Sequence, residues 1–533
     1  KFKNYSFSGL SFNSKDCKKN YIFFAIKGKN YDGNDFIKNA IKNGAKIIIY
    51  EKKFQGLKKN ILYLKSQNIR KTLSNLSYKI YKKKPNNLIA VTGTNGKSSI
   101  ANFFFQFLYL NKLKAASIGT LGININNKYF KVNNTTLDPI NLAKQLHKIK
   151  KKGIENVILE ASSHGLKQHR LDGLTFNKGI FTNLSHDHLD YHKNFNDYLN
   201  SKLYLFKELL KKKSIIITDN SLKQFTKIKN ISTKKRIKLK TILSKDSDLA
   251  IISHKYQDQN QLVKIKYKNK LYDFNLNLIG KIQIKNILMA ALAAENKNLK
   301  FEKIINKMSQ IKPVSGRFEI IGKLKNNAIV ILDYAHTPEA LDTCLNNVRD
   351  QFYDRSIHIV FGCGGDRDQF KRPKMGDIAN SYCEKIYITD DNPRFENPKK
   401  IRDQIKIKIK KSKILEIPNR AKAIYTSIQN LKTGEILIIA GKGHENLQDF
   451  GKFKNFFSDK SVILNAISHK NKKLKKNLKF NILKDEIFKK NDIKFTNASI
   501  NSKTIKKNEI FFAIKGKKKD GNLFIKEAFS RGA

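Results

Sequence analysis

Short apolar runs, each closed by glycine, asparagine or aspartate, recur along the chain: "NLIAVTG" at 87–93, "NVILEAS" at 156–162, "KGIFTNL" at 178–184, "AIVILDY" at 328–334, "IHIVFG" at 357–362, "KIYITDD" at 385–391 and "ILIIAG" at 436–441. They read as buried strands, because strands covered on both faces lose the apolar–polar alternation of half-exposed ones. Between them lie segments of helical period. That alternation predicts parallel α/β sheets with ligand-binding loops at the C-terminal ends of the strands.

At 533 residues the chain is too long for a single core, so three or four domains are expected. Boundaries are placed near 86, at Lys84-Pro85, and near 312, before Pro313. Residues 12–45 return at 500–533 without a gap, at an offset of 488, with 23 identities in 34 positions. Solenoid periods are far shorter, so this is a domain start that occurs twice. The first copy runs on into "KIIIYEKK", which reads as a strand, whereas the second ends at Ala533 before any equivalent. The expectation is that a second, related protein begins near Phe480 and is cut short here. The Lys-rich residues 467–479 are expected to form a linker.

The formal charge is +62, and its first reading is a polyanion partner. Yet only 12 of the 106 basic residues are Arg, and Lys is spread evenly with Asn and Ile instead of forming a patch. Readers of base edges lean on Arg, so no nucleic-acid partner is expected. The four cysteines, Cys17, Cys344, Cys363 and Cys383, have no CxxC spacing, which argues against a disulfide framework or a zinc site and fits the cytoplasm. No apolar run approaches the roughly 18 residues that a membrane-spanning helix needs.

The first chemistry-bearing segment is "AVTGTNGKSS" at 90–99. An ordinary phosphate loop reads GxxxxGK[ST], but Val91 stands where its first glycine would be. What remains, Gly93-Thr94-Asn95-Gly96-Lys97-Ser98-Ser99, still lies between a strand and a helix. Successive backbone N–H groups and the helix N-terminus can face phosphate oxygens, Lys97 can balance charge, and the Ser98 hydroxyl can ligate Mg²⁺.

GTNGK[ST] resembles the ATP loop of the Mur ligase family, the amide-forming ligases of peptidoglycan synthesis, and also that of folylpolyglutamate synthases. Later motifs favour the former. "LEASSHGLKQHRL" (159–171) resembles the family's second signature. By that resemblance Glu160 binds a second Mg²⁺, while Ser162, Gln168 and Arg170 hold the UDP-sugar substrate together with Asn134, Thr135 and Thr136. "TNLSHDHLDYH" (182–192) resembles the third signature and makes His188 a Mg²⁺ ligand. "YLNSKLYLF" resembles the family's YxxAKxxLF, which implies that Lys202 is carbamylated and positions Mg²⁺. Departures occur in "LIGKIQIKNILMA", where Gln283 replaces the first Asn of GxFNxxN and Ile282 the Phe; Asn286 matches, and contact of Gln283 and Asn286 with ATP is expected. Ser14, Lys29, Asn30 and Tyr31 match the family's uridine-binding positions.

"FGCGGDRDQFKRPKM" (361–375) and "TDDNPRFENP" (389–398) follow. The DNPR box resembles that of family members adding meso-diaminopimelate, whose extra carboxylate a bidentate guanidinium reads well. Arg367, Asp391, Asn392, Pro393 and Arg394 are thereby implied as amino-acid-binding residues, with Gly441 and Glu445 of "GKGHE". The resemblance spans about 1–465. It implies a three-domain fold: an N-terminal UDP-substrate domain (1–86), a central ATP-binding parallel sheet (87–312) and a Rossmann-like amino-acid domain (313–466). The linker follows at 467–479, and 480–533 is the partial start of a second Mur ligase, taken as the D-alanyl-D-alanine-adding member. The implied catalytic set is Lys97, Glu160, His188 and Lys202; the implied enzyme is a cytoplasmic monomer. Two rivals remain at this point: a folylpolyglutamate synthase-like ligase, and a basic nucleic-acid-binding ATPase.

Overall fold

The computed structural model describes residues 5–28, 31–52, 54–132, 134–185, 187–188, 191–474, 478–479, 494–514 and 520–533. The chain divides into two compact units, Lys1–Val314 and Ser315–Ala533.

The first unit carries two sheets. A five-stranded sheet has Gly9–Ser11, Tyr21–Phe24, Ala45–Tyr50 and Ile61–Lys65 side by side and parallel, with Gly56–Lys58 antiparallel at the edge. An eleven-stranded sheet follows, with Asn87–Thr92 near its middle, flanked by Asn156–Glu160 and Phe176–Phe181, both parallel to it. Successive residues of a strand face opposite sides, and here each side has its own core. Ile89, Val91, Ile158, Ile180 and Ile217 pack with Phe103, Phe104 and Phe107 of the helix Lys97–Leu110 and with the helix Lys281–Ala294. Leu88, Ala90, Val157, Leu159, Phe181 and Ile216 pack against Leu142, Leu146, Leu199 and Leu203 on the other side. Burying each of the Val, Leu, Ile and Phe side chains contributes about 1.5–3 kcal/mol, so the central strands are held from both faces and their C-terminal ends are rigid platforms.

Val91 explains the shortened loop. It is a fully buried strand residue, paired in register with Glu160 and Ile180. The chain turns only at Gly93, after the strand ends at Thr92.

The second unit contains a six-stranded sheet in the order Glu319–Lys323, Ile329–Leu332, Ile436–Ile439, Ile357–Phe361, Lys385–Ile388, Ile414–Glu416, parallel except for the first strand. Ile436–Ile439, last in sequence, inserts between the strands at 329 and 357. It thereby sets four loops, 333–337, 362–370, 389–397 and 440–446, at one edge of the sheet.

The linker expected at 467–479 is corrected in its first half. The helix Asp459–Lys473 runs through it, Ile467 is buried, and Lys470 donates to the carbonyls of Ile428, Gln429 and Leu431 at the end of a neighbouring helix. Lysines at 470, 472 and 473 suit a helix C-terminus, where the macrodipole favours cations, so the charge run read as solvated linker is a helix end. Residues 475–477 and 480–493 lie outside the described residues.

The repeat is geometric as well as textual. Asp32 Oδ1 accepts from Asn34 N at 2.9 Å, and Asp520 Oδ1 from Asn522 N at 3.0 Å. Gly33 N donates to Ile26 O and Gly521 N to Ile514 O, at 3.1 and 3.0 Å. The parallel pairs Leu10↔Ile22 and Ser11↔Phe23 return as Ala498↔Ile510 and Ser499↔Phe511.

Candidate active site

Two glycines shape the turn after Thr92. Gly93 has φ 148° and Gly96 φ 86°; a Cβ on Gly93 would lie 1.8 Å from Thr182 Oγ1, and one on Gly96 2.7 Å from Asn286 Oδ1. Only a residue without a side chain fits either place. Asn183 Oδ1 accepts from the N–H groups of Thr94 and Asn95 at 3.1 and 2.9 Å, and Thr182 Oγ1 donates to Asn95 O at 2.6 Å. The loop is thus tied to the end of the adjacent strand. Lys97 Nζ folds back onto Gly93 O and Thr94 O at 2.9 and 2.7 Å.

Ser98 Oγ donates to Glu160 Oε2 at 3.1 Å, and Thr120 donates to both carboxylate oxygens through N and Oγ1 at 3.0 Å each. A small cavity lined by Ser98, Asn102, Ser117, Gly119, Tyr129 and Glu160 opens here. Gly119 makes the room, since a Cβ on it would stand 2.1 Å from Glu160 Oε1. Hydroxyl and carboxylate oxygens converging on a glycine-lined cavity are the donor set a hard cation prefers, so these residues fit Mg²⁺.

Lys202 is buried on the helix Phe195–Tyr204. Its Nζ donates to Gly93 O at 2.7 Å and lies 4.4 Å from the Tyr198 ring centre. Burial, with Lys97 as a second cause, pulls its pKa well below the ordinary 10.5, which favours the neutral amine. His188, at φ 55°, flanks the same tyrosine, ring centres 6.1 Å apart, and stands edge-on to His164 at 4.9 Å. Among the described residues no three His, Cys, Asp or Glu side chains form a metal cluster. The implied set would draw only Glu160 and His188 from those types. His192, of the same motif as His188, is buried against Ser163, Nε2 to Oγ 3.0 Å.

The residues matched to UDP-sugar binding form one hydrogen-bonded chain. Thr135 Oγ1 lies 3.0 Å from Thr120 Oγ1, and Thr136 Oγ1 lies 3.0 Å from Ser162 Oγ while donating to Glu160 O at 2.8 Å. Arg170 donates to Thr136 O and, through Nε and Nη2, to Gln168 Oε1 at 3.1 and 2.8 Å. Asn134 is exposed beside them. Ser14 is buried in the five-stranded part and Tyr31 is exposed, edge-on to Phe36; no described contact joins either to this chain. Lys29 and Asn30 lie outside the described residues. Gln283 and Asn286 are brought together, Asn286 Nδ2 donating to Gln283 Oε1 at 3.1 Å.

In the second unit the four loops bring the implied amino-acid residues together. Asn392 Nδ2 donates to Glu445 Oε2 at 3.1 Å, and Tyr334 OH to Glu445 Oε1 at 3.2 Å. Buried Lys442 donates to Asn392 Oδ1 and Glu445 Oε2 at 3.0 and 3.1 Å. Arg394, at φ 51°, donates from Nη1 to Gly365 O at 2.6 Å. A Cβ on Gly364 would meet Arg394 Nη1 at 3.0 Å and Arg367 Cγ at 3.9 Å, one on Gly365 would meet Pro393 O at 1.9 Å, and one on Gly441 Asp391 Oδ2 at 2.7 Å. Burial, then Arg317, lowers His444 to about 4, so it is neutral at pH 7. Sequence reasoning missed Thr120, Thr182, Asn183, Tyr198, Tyr334 and Lys442. Of these, Thr182, Asn183, Tyr198, Tyr334 and Lys442 lay inside quoted motifs without being singled out, and Thr120 alone had no local signal.

A glycine-turned phosphate loop on a parallel sheet, and a second α/β unit whose loops gather arginine, asparagine and a carboxylate, define a nucleotide-using α/β enzyme with a site for a charged small molecule. Three family models match: "Mur ligase family, catalytic domain" over residues 6–83, "Mur ligase middle domain" over 91–294 and "Mur ligase, glutamate ligase domain" over 316–443. The UDP-N-acetylmuramoyl-L-alanyl-D-glutamate--2,6-diaminopimelate ligase of Rickettsia typhi is 41% identical over 471 residues, covering 87% of this chain and 94% of that protein. A solved structure of a ligase with the same name has a TM-score of 0.63 at 29% identity, covering 87% of this chain and 95% of its own. A Mycobacterium tuberculosis folylpolyglutamate synthase complexed with ADP and AMPPCP has a TM-score of 0.58 at 15% identity over 70% of this chain and 92% of its own, a likeness of fold alone. The chain belongs to the Mur ligase family and is a ligase.

Proposed function

We propose that this ligase joins meso-diaminopimelate to the D-glutamate γ-carboxylate of UDP-N-acetylmuramoyl-L-alanyl-D-glutamate at the expense of ATP, in peptidoglycan synthesis. The observation that carries the reading is the DNPR loop, whose Asn392 and Arg394 are fixed by Glu445, Lys442 and Gly365, in a chain 41% identical to the Rickettsia typhi diaminopimelate ligase.

The chemistry follows from what the residues can hold. The carboxylate takes the γ-phosphoryl group of ATP to give an acyl phosphate; the diaminopimelate amine attacks the acyl carbon, the amide C–N bond forms, phosphate leaves and the amine loses a proton. The loop N–H groups and Lys97 bind the triphosphate, with donors placed where charge develops. Ser98 would hold one Mg²⁺, and Glu160, His188 and the Lys202 carbamate a second; Ser98 meets Glu160 at 3.1 Å, and His188 and Lys202 flank Tyr198 beside the loop. Bound Mg²⁺ supplies charge neutralisation on phosphate and carboxylate oxygens. Lys202 serves as a carbamate: its neutral nitrogen bonds to CO₂, one proton is released, and the anion is favoured by the field of Lys97 that disfavours an ammonium. In this reading 1–86 with Ser14, Thr136, Ser162 and Arg170 binds the UDP substrate, 87–312 binds ATP with Gln283 and Asn286 near the nucleotide, and 313–466 binds the amino acid. The enzyme works as a cytoplasmic monomer. Residues 480–533 are read as the partial start of a second Mur ligase, taken as the D-alanyl-D-alanine-adding member; the hydrogen bonds repeated at a fixed offset support its kinship with this chain's own N-terminal part.

The test is phosphate release with UDP-muramoyl dipeptide and ATP, comparing diaminopimelate, lysine and a folate substrate. Release dependent on diaminopimelate is expected; dependence on folate with glutamate would overturn the reading.

A further inference from the structure

Arg420 is among the largest fully buried side chains of the molecule. It opens the helix Arg420–Asn430, where the helix macrodipole disfavours a cation, so the helix gains nothing from its charge. Its partners lie elsewhere. Nε and Nη2 donate to the two oxygens of Asp459 at 2.8 and 2.7 Å, and Nη2 also donates to Ala440 O at 2.9 Å. Ala440 is the residue immediately before the GKGHE loop. Nη1, buried and with no hydrogen-bond partner, is directed at Asp391 Oδ2, 3.9 Å away. Asp391 in turn packs against the bare Cα of Gly441 and precedes Asn392, which holds Glu445.

We propose that Arg420 is a positioning residue of the amine site: without touching the amino acid, it fixes the DNPR and GKGHE loops relative to each other through Ala440 and Asp391, and so sets the affinity for the amine substrate. The inference rests on the proposed function. An unbonded guanidinium nitrogen buried against a carboxylate of the specificity box is the feature a purely structural ion pair with Asp459 would not need.

The test uses the full chain in three forms, wild type, Arg420→Lys and the double variant Arg420→Met/Asp459→Leu, which removes both charges and so avoids leaving Asp459 buried alone. Three quantities are read: the KM for diaminopimelate, the KM for ATP, and acyl phosphate formed without amino acid and trapped as the hydroxamate by hydroxylamine. Expected in the double variant is a rise of about tenfold or more in diaminopimelate KM, with ATP KM and hydroxamate yield within about twofold of wild type; Arg420→Lys is expected between the two. An unchanged diaminopimelate KM in either variant, or a rise matched by ATP KM and hydroxamate loss, would overturn the role. Should the double variant fail to fold, the Arg420→Lys measurement decides alone. Absence of hydroxamate in the wild type would instead count against the proposed function.

Discussion

Lys97 and Lys202 converge on one carbonyl oxygen, donating to Gly93 O at 2.9 and 2.7 Å. Two ammonium groups sharing one acceptor in a buried place repel, and the more buried one yields its proton. Lys202 is that one. An anion formed on its nitrogen would turn the repulsion into attraction.

If Lys202 acts as a carbamate, Lys202→Ala loses about a hundredfold or more in kcat, and a short carboxylate such as acetate or propionate restores part of it by replacing the missing anion. The check is kcat with and without added acetate. A variant that added carboxylate leaves wholly unrestored would speak against an anionic role.

The same lysine gives a stability prediction with a definite sign. Its folded pKa lies well below the 10.5 of the unfolded chain, so between those two values the unfolded state binds more protons and stability rises with pH. In CO₂-depleted buffer, Lys202→Met is therefore expected to melt at a higher temperature than wild type at pH 7, and the gap narrows as pH approaches 10.5. Calorimetric scans across that range decide it; a gap that does not change with pH would contradict the shift.

For the loop itself, Lys97→Ala is expected to lower ATP-dependent ligation by about 10²–10³-fold, the usual effect of removing one preorganised donor at developing charge. Coupled ADP release measures this. Near-normal turnover would remove the loop from the ATP site.

Arg394→Ala is expected to raise the diaminopimelate KM by about 10–100-fold, corresponding to about 1.5–3 kcal/mol for a hydrogen bond to a charged group. The ATP KM should move by no more than about threefold. Equal changes in both would take Arg394 out of the amine site.

The sequence by itself determined the strand-and-helix alternation, the glycine turn at 93–96, the order of the motifs and the repeat at 500–533, because each depends on local period or on backbone freedom within a few residues. Tertiary structure alone decided the partners. Glu160 meets Ser98 and Thr120 because their strands and helix are packed on one sheet. Gln283, a departure in sequence, turns out to accept from Asn286 one helical turn on. The Lys-rich run at 467–473 is a helix end because Lys470 finds carbonyls of a helix forty residues away in sequence. Inserting Ile436–Ile439 between earlier strands is what gathers Asn392, Glu445 and Tyr334. Such choices are set by burial and hydrogen bonding summed over distant segments, and no local window of sequence contains that sum.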